Sequence, residues 1–178
     1  MRDDTLASAS RRRLLAQAAG IGVAAGLGGC GFQLREAPAL PFATIQLTGF
    51  QANSPMAQAL RRSIATTTTT RVVEGAAQAQ VVLNAAADTQ ERGVVASTSA
   101  GQVREIQLRA RLKFTLAEAN GRQLIALTEV LQIRDMTYNE RNALGKEQEE
   151  AGMYRAMQND IAMQVLRRLA AVKLAAPA

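Results

Sequence analysis

Ile106-Gln107-Leu108-Arg109-Ala110-Arg111-Leu112-Lys113-Phe114-Thr115-Leu116 alternates apolar and polar residues at every step. A period of two places successive side chains on opposite faces of a strand. One face of this strand is therefore apolar. The other carries Gln107, Arg109, Arg111, Lys113 and Thr115, a wet and mostly basic row. Such a strand belongs to an antiparallel sheet that is covered on one side only.

Asn120-Gly121 follows closely and has the composition of a two-residue hairpin turn, since both residues tolerate positive φ. Folding the chain back across that turn predicts a register. Leu116 faces Ile125, Phe114 faces Leu127, Ala110 faces Leu131 and Leu108 faces Ile133, all on the apolar side. The same register sets Glu129 opposite Leu112, a carboxylate among apolar residues. A bulge that re-aims Glu129, or a buried partner, would remove that conflict. The basic row faces either solvent, an anionic ligand or an acidic partner wall.

The flanking segments supply the rest of the fold. Ala43 to Phe50 alternates as a first strand. Ser54-Pro55 starts a helix, with the serine as cap and proline in the first turn. Met56, Leu60 and Ile64 then lie along one face. The threonine run Thr66 to Thr70 ends that helix and leads into Val72-Val73. Gln80 to Ala87 is another strand, with Val81, Leu83 and Ala85 on one side. Ser97 to Gln102 is a turn. From Ala143 to Ala171, the stripe Met153, Met157, Ile161, Val165 and Leu169 marks a long helix, widened by Leu166. The sum is an α+β fold: an antiparallel or mixed sheet of about four strands with two helices packed on one face.

The N-terminal region has a different chemistry. Arg11-Arg12-Arg13 precede an apolar, glycine-rich run from Leu14, which closes on Leu27-Gly28-Gly29-Cys30. Basic, apolar and small residues followed by cysteine are the order of a bacterial lipoprotein signal. The run is too short and glycine-rich for a spanning helix, which needs about 20 strongly apolar residues. Residues 1–29 are then a removed signal peptide, and the Cys30 thiol takes a diacylglycerol. An amide-linked third chain, typically palmitate, completes the anchor. Ser10-Arg11-Arg12-Arg13-Leu14-Leu15 also resembles a twin-arginine export signal, and the Sec route stays open. Gly31 lacks the acidic character that retains lipoproteins at the inner membrane, so the outer membrane is the expected destination. Residues 30–42 read as the lipidated N-terminus and a Pro-containing tether. Residues 43–174 form one domain, and 175–178 a short tail.

Composition narrows the chemistry. The chain has 178 residues, a formal net charge of +6, one cysteine and no histidine. Without histidine, Ser-His-Asp and Cys-His catalysis and most zinc sites are excluded. The single cysteine is used for lipid, so no intrachain disulfide forms. No cofactor ligands stand out, and no residue set points to an enzyme. An exported lipoprotein does not meet nucleic acid; anionic lipid and phosphorylated sugar are the partners a basic surface would meet there.

Three sets of residues together resemble the family of lipopolysaccharide-assembly lipoproteins called LptE. They are Gly29-Cys30-Gly31-Phe32-Gln33-Leu34-Arg35 at the mature start; Gly101-Gln102 with Glu105 and Gln107 in the middle; and Ala143-Leu144-Gly145-Lys146-Glu147 with Met153, Tyr154, Met157, Asp160 and Gln164 to Leu169 near the end. The resemblance implies a non-enzymatic plug inside the large outer-membrane barrel LptD, which it helps to assemble. It also implies lipopolysaccharide binding through basic residues at one end. Lys146, expected in the loop before the long helix, matches one such position. The second falls on Ser99, and Arg104, just past the same turn, is the nearest substitute. A stand-alone outer-membrane lipoprotein that binds a periplasmic amphiphile or solute is the alternative reading.

Overall fold

The alternating stretch lies within one of three long strands of a five-stranded sheet. The computed structural model describes residues 39–66 and 69–174, so the signal, Cys30, most of the tether and the 175–178 tail lie outside the described residues. In chain order the elements are β1 (Thr44–Thr48), α1 (Pro55–Ala65), β2 (Arg71–Val73), β3 (Val81–Ser97), β4 (Val103–Glu118), β5 (Gln123–Thr137) and α2 (Ala143–Ala170). The sheet order is β2-β1-β3-β4-β5. β1 is parallel to β2 and β3, and the other pairs are antiparallel. The expected α+β class holds. The short edge strand β2 brings the sheet to five.

The core lies between the sheet and the two helices. Ile106, Leu108, Ala110, Leu112, Phe114 and Leu116 of β4 are all buried, as the alternation predicts. They meet Met56, Leu60 and Ile64 of α1 and Met157, Ile161, Val165, Leu166 and Leu169 of α2. Leu40 and Phe42 also belong to this core, so the packed chain begins earlier than the tether boundary at residue 42 predicts. Thr70 is buried with them, its hydroxyl donating to the Phe42 carbonyl at 2.7 Å.

β3 runs to Ser97, ten residues beyond the strand predicted to end at Ala87. Its second half keeps the period of two, but in polar residues. Asp88, Gln90 and Arg92 point to the helix side, and Asp88 and Arg92 each meet a polar residue of a helix or its cap. The Ser54 hydroxyl accepts from the Ala57 N–H at 3.1 Å, capping α1, and donates to Asp88 at 2.6 Å. Arg92 pairs with Glu150 of α2 at 3.2 Å and lies over the Tyr138 ring. Gly49, at φ +78°, turns the chain after β1. A Cβ there would lie 2.2 Å from the Ala85 carbonyl oxygen, beside the bulge in β3.

The β4–β5 register differs from the predicted one, and the difference starts in the turn. The Glu118 N–H donates to the Arg122 carbonyl at 2.9 Å, leaving a three-residue loop, and Gly121 takes the left-handed conformation at φ +88° while Asn120 does not. A left-handed residue after a β-turn is the usual three-residue hairpin loop. Two bulges follow on β5. Leu116 does face Ile125, but beyond it Phe114 faces Thr128, Ala110 faces Gln132 and Leu108 faces Arg134. The slip puts Val130 opposite Leu112 and Glu129 opposite Lys113. It exposes Leu127, Leu131 and Ile133 on the open face. In return the slip buries Val130 and Met136 and keeps Glu129 off the apolar face, where an unpaired carboxylate is costly.

Candidate functional site

Two groups of cations compete for the role of binding site. The first is the basic row on the open face of β4. Arg111 lies between strands, 4.0 Å from Glu91 of β3 and 3.9 Å from Glu129 of β5. Lys113 meets Glu129 at 3.3 Å. Gln107 joins Asp135 at 3.0 Å and accepts from the Arg109 Nε–H at 2.8 Å. The row is thus flanked by carboxylates from both neighbours, and the β5 bulge delivers one of them. Arg111 Nε is buried without a hydrogen-bond partner, so the balance comes from charge more than from fitted hydrogen bonds.

The second group forms at the end of the sheet where β3 turns into β4. Arg104 stands near the start of β4, and its carbonyl accepts from Tyr138 N–H at 2.8 Å, carrying the ladder beyond β5. Asn139 then caps a short 3₁₀ turn by accepting from Arg141 N–H at 3.0 Å. That turn aims the chain into α2. Lys146 lies in the first turns of α2, within the helix predicted from Ala143 and not in the preceding loop that the resemblance implies. Gly145 permits the approach there, since a Cβ would stand 2.7 Å from the Asn142 side chain.

Arg104 and Lys146, some forty residues apart in sequence, line one cleft of about 590 Å³ with Tyr138, Asn139 and Ala96. Glu105 also lines it. Arg104 further borders a smaller cleft with Arg141. Lys146 pairs with Glu149 at 2.8 Å, one turn along its own helix. Such a surface pair is worth only a few tenths of a kcal/mol, so an incoming anion can replace it. Ser99, the position that departs from the family pattern, lies in the β3–β4 turn.

Sequence reasoning missed the apolar part of this end. Val94, Val95 and Leu144 are large apolar residues exposed to solvent, Leu144 at 71%. Val95 precedes the lining residue Ala96 on β3, and Leu144 stands two residues before Lys146 on α2. Leu144 stands inside the motif that singled out Lys146, which was a usable signal. Val94 and Val95 were hidden because the strand that carries them reads as polar. Tyr154 fixes α2 against β3 nearby, its hydroxyl donating to the Glu91 carbonyl at 2.7 Å. Burial there raises the phenol pKa above its usual value, with Glu150 adding to the shift.

The chain's similarities agree with this geometry. The family described as LptE, lipopolysaccharide-assembly, matches residues 42–169. The solution structure of the uncharacterized lipoprotein B of Nitrosomonas europaea is similar at TM-score 0.67 and 28% identity, covering 79% of this chain and 91% of that one. The rare lipoprotein B of Shewanella oneidensis shares the fold at TM-score 0.60 and 20% identity, over 71% of this chain and 93% of its own. A minor lipoprotein of Acinetobacter baumannii does so at TM-score 0.60 and 17% identity, over 78% and 99%. Among curated proteins, no sequence matches. A family match across most of the packed chain means that the chain belongs to the LptE family of lipopolysaccharide-assembly lipoproteins.

Proposed function

We propose that this chain is the lipoprotein subunit of an outer-membrane lipopolysaccharide translocon. Acyl chains on Cys30 hold it at the periplasmic leaflet. Its folded part plugs the LptD β-barrel, helps that barrel assemble, and helps pass lipopolysaccharide toward the cell surface. It binds and positions, and performs no catalysis.

The observation that carries this reading is the joint placement of Arg104 and Lys146 on one cleft, with exposed Val95 and Leu144 close in the chain to its lining residues Ala96 and Lys146. Lipopolysaccharide offers phosphates next to acyl chains. Arginine supplies a planar fork and lysine a point charge for the phosphates, while the exposed apolar residues suit the acyl flank. A carrier must also release. The exchangeable Lys146–Glu149 pair lets the lysine return to an internal partner when ligand leaves. The balanced open face suits a different neighbour, because barrel lumens are polar.

Depletion tests the reading. Loss of this protein should reduce the assembled barrel and surface lipopolysaccharide together. Unchanged levels of both would favour the stand-alone amphiphile-binding alternative. Pull-down of the lipidated protein should bring down a large barrel. For the anchor, Cys30→Ala should leave an unprocessed or soluble form.

A further inference from the structure

The opposite end of the sheet carries a second amphipathic cleft. The backbone shows which end this is. Ala43 N–H donates to the Gln80 side chain at 2.6 Å, and the Gln80 carbonyl accepts from Ala119 N–H at 3.1 Å. The chain therefore enters β1 beside the β4–β5 turn. The C-terminal end of α2 arrives at the same place, since Arg168 donates to the Glu129 carbonyl at 3.2 Å. Between the start of β5 and the end of α2 lies a cleft of about 620 Å³.

Leu124, Ile125 and Val172 give this cleft an apolar floor, and Arg122, Arg168 and Lys173 stand around it. None of the residues lining it is acidic. Glu118, on the neighbouring turn, is already paired with Arg122. The carbonyl end of a helix favours cations by itself, but it does not account for an apolar floor with Arg168 and Lys173 on one side and the carboxylate-paired Arg122 on the other. Arg71, the first residue of β2, adds a cation on the far side of β1 and bonds to Ala43 through its N–H. β1 and β5 stand about 14 Å apart at this end, three strand spacings.

We infer that this cleft is a docking site for the anionic phospholipid surface in which the protein is anchored, with a phosphatidylglycerol headgroup over the cations and its glyceryl-acyl region on the apolar floor. The inference rests on the lipidation of Cys30 proposed above. Ten peptide steps join Cys30 to the packed Leu40, a span of about 35 Å at most. An acylated Cys30 thus keeps the tethered end of the domain near the leaflet, at high effective concentration. The cleft then sets which side of that end faces the lipid, and leaves the Arg104–Lys146 end directed away from it.

The test uses the chain carrying Cys30→Ser, so that no acyl group contributes. Co-sedimentation with vesicles of phosphatidylglycerol and phosphatidylcholine should exceed that with phosphatidylcholine alone. Each surface cation carries roughly fivefold in partitioning, so Arg168→Gln with Lys173→Gln should weaken binding about thirtyfold. Arg155→Gln, an exposed mid-helix change away from the cleft, should stay within about twofold of the parent. The variants should keep the thermal unfolding of the parent, which separates lost docking from lost fold. Equal binding to both vesicle types, or an unaffected double variant, overturns the proposal. Displacement by millimolar inorganic phosphate would assign the cleft to a free anion instead, and also overturns it. Mass analysis of native Cys30 is read separately. An unacylated cysteine would defeat the anchoring reading while the vesicle result stood on its own.

Discussion

Two groups of cations lie close together along β4 and differ in what surrounds them. Arg109, Arg111 and Lys113 form the more conspicuous pattern, yet β3 and β5 flank them with Glu91 and Glu129. Arg104 is inconspicuous, but the return of the chain into α2 brings Lys146 to the same cleft. A row of like charges on a strand says little about a ligand until the neighbouring registers are known. A pair of cations from distant elements, beside exposed apolar residues, says more.

The comparison breaks most severely at the β5 bulge. Inserting one alanine between Thr128 and Glu129, just past the bulge, should shift the register by one and set Glu129 opposite Leu112. The expected result is a loss of about 4 kcal/mol or more, or no cooperative folding, measured by chemical denaturation. An insertion variant with parental stability would show that the register past the bulge does not hold the charges in place. Gly49→Ala is the next largest effect. It strains a left-handed residue against the Ala85 carbonyl and should cost about 3 kcal/mol, with lipopolysaccharide affinity per folded molecule unchanged. Glu129→Lys leaves Lys113 and Arg111 facing a like charge and should cost about 1 kcal/mol, while Glu129→Gln costs about half as much.

The smallest effect is a pH dependence at the β4–β5 turn. The hydrogen bond from Arg122 holds the Glu118 carboxyl below its ordinary value of 4.5. A lowered folded-state pKa means that the stabilisation is complete above the unfolded value and is lost as pH falls through the folded one. Glu118→Gln should therefore lower stability slightly at neutral pH and converge on the parent in acid, which flattens the acid limb of the stability curve. A parental acid limb in that variant would show the pair to be energetically silent.

Much of the fold was legible because burial imposes strict periods. The β4 alternation and the α2 stripe each identify a face, and both faces are buried as read. The Ser54-Pro55 helix start is also as read. The second half of β3 was not legible, because its helix-side positions are polar: Asp88 meets a serine hydroxyl, and Arg92 a glutamate and a tyrosine ring. Periodicity read from apolar residues passes over such a strand. The β4–β5 register was misread because Asn-Gly closes two-residue and three-residue loops alike, and one residue of slip exchanges the two faces. Of the candidate site, the resemblance pointed to Lys146 and proximity to Arg104. Their convergence depends on a chain reversal at Asn139 that no period announces.

The central claim is that lipopolysaccharide meets the Arg104–Lys146 cleft and not the basic row of β4. Two double variants with equal charge loss test it directly: Arg104→Gln with Lys146→Gln, and Arg109→Gln with Lys113→Gln. Equilibrium binding of purified lipopolysaccharide at matched ionic strength should fall at least about tenfold in the first pair, as expected for losing charge-assisted contacts, and stay within about twofold of the parent in the second. Equal losses in both pairs, or a larger loss in the second, would contradict the account.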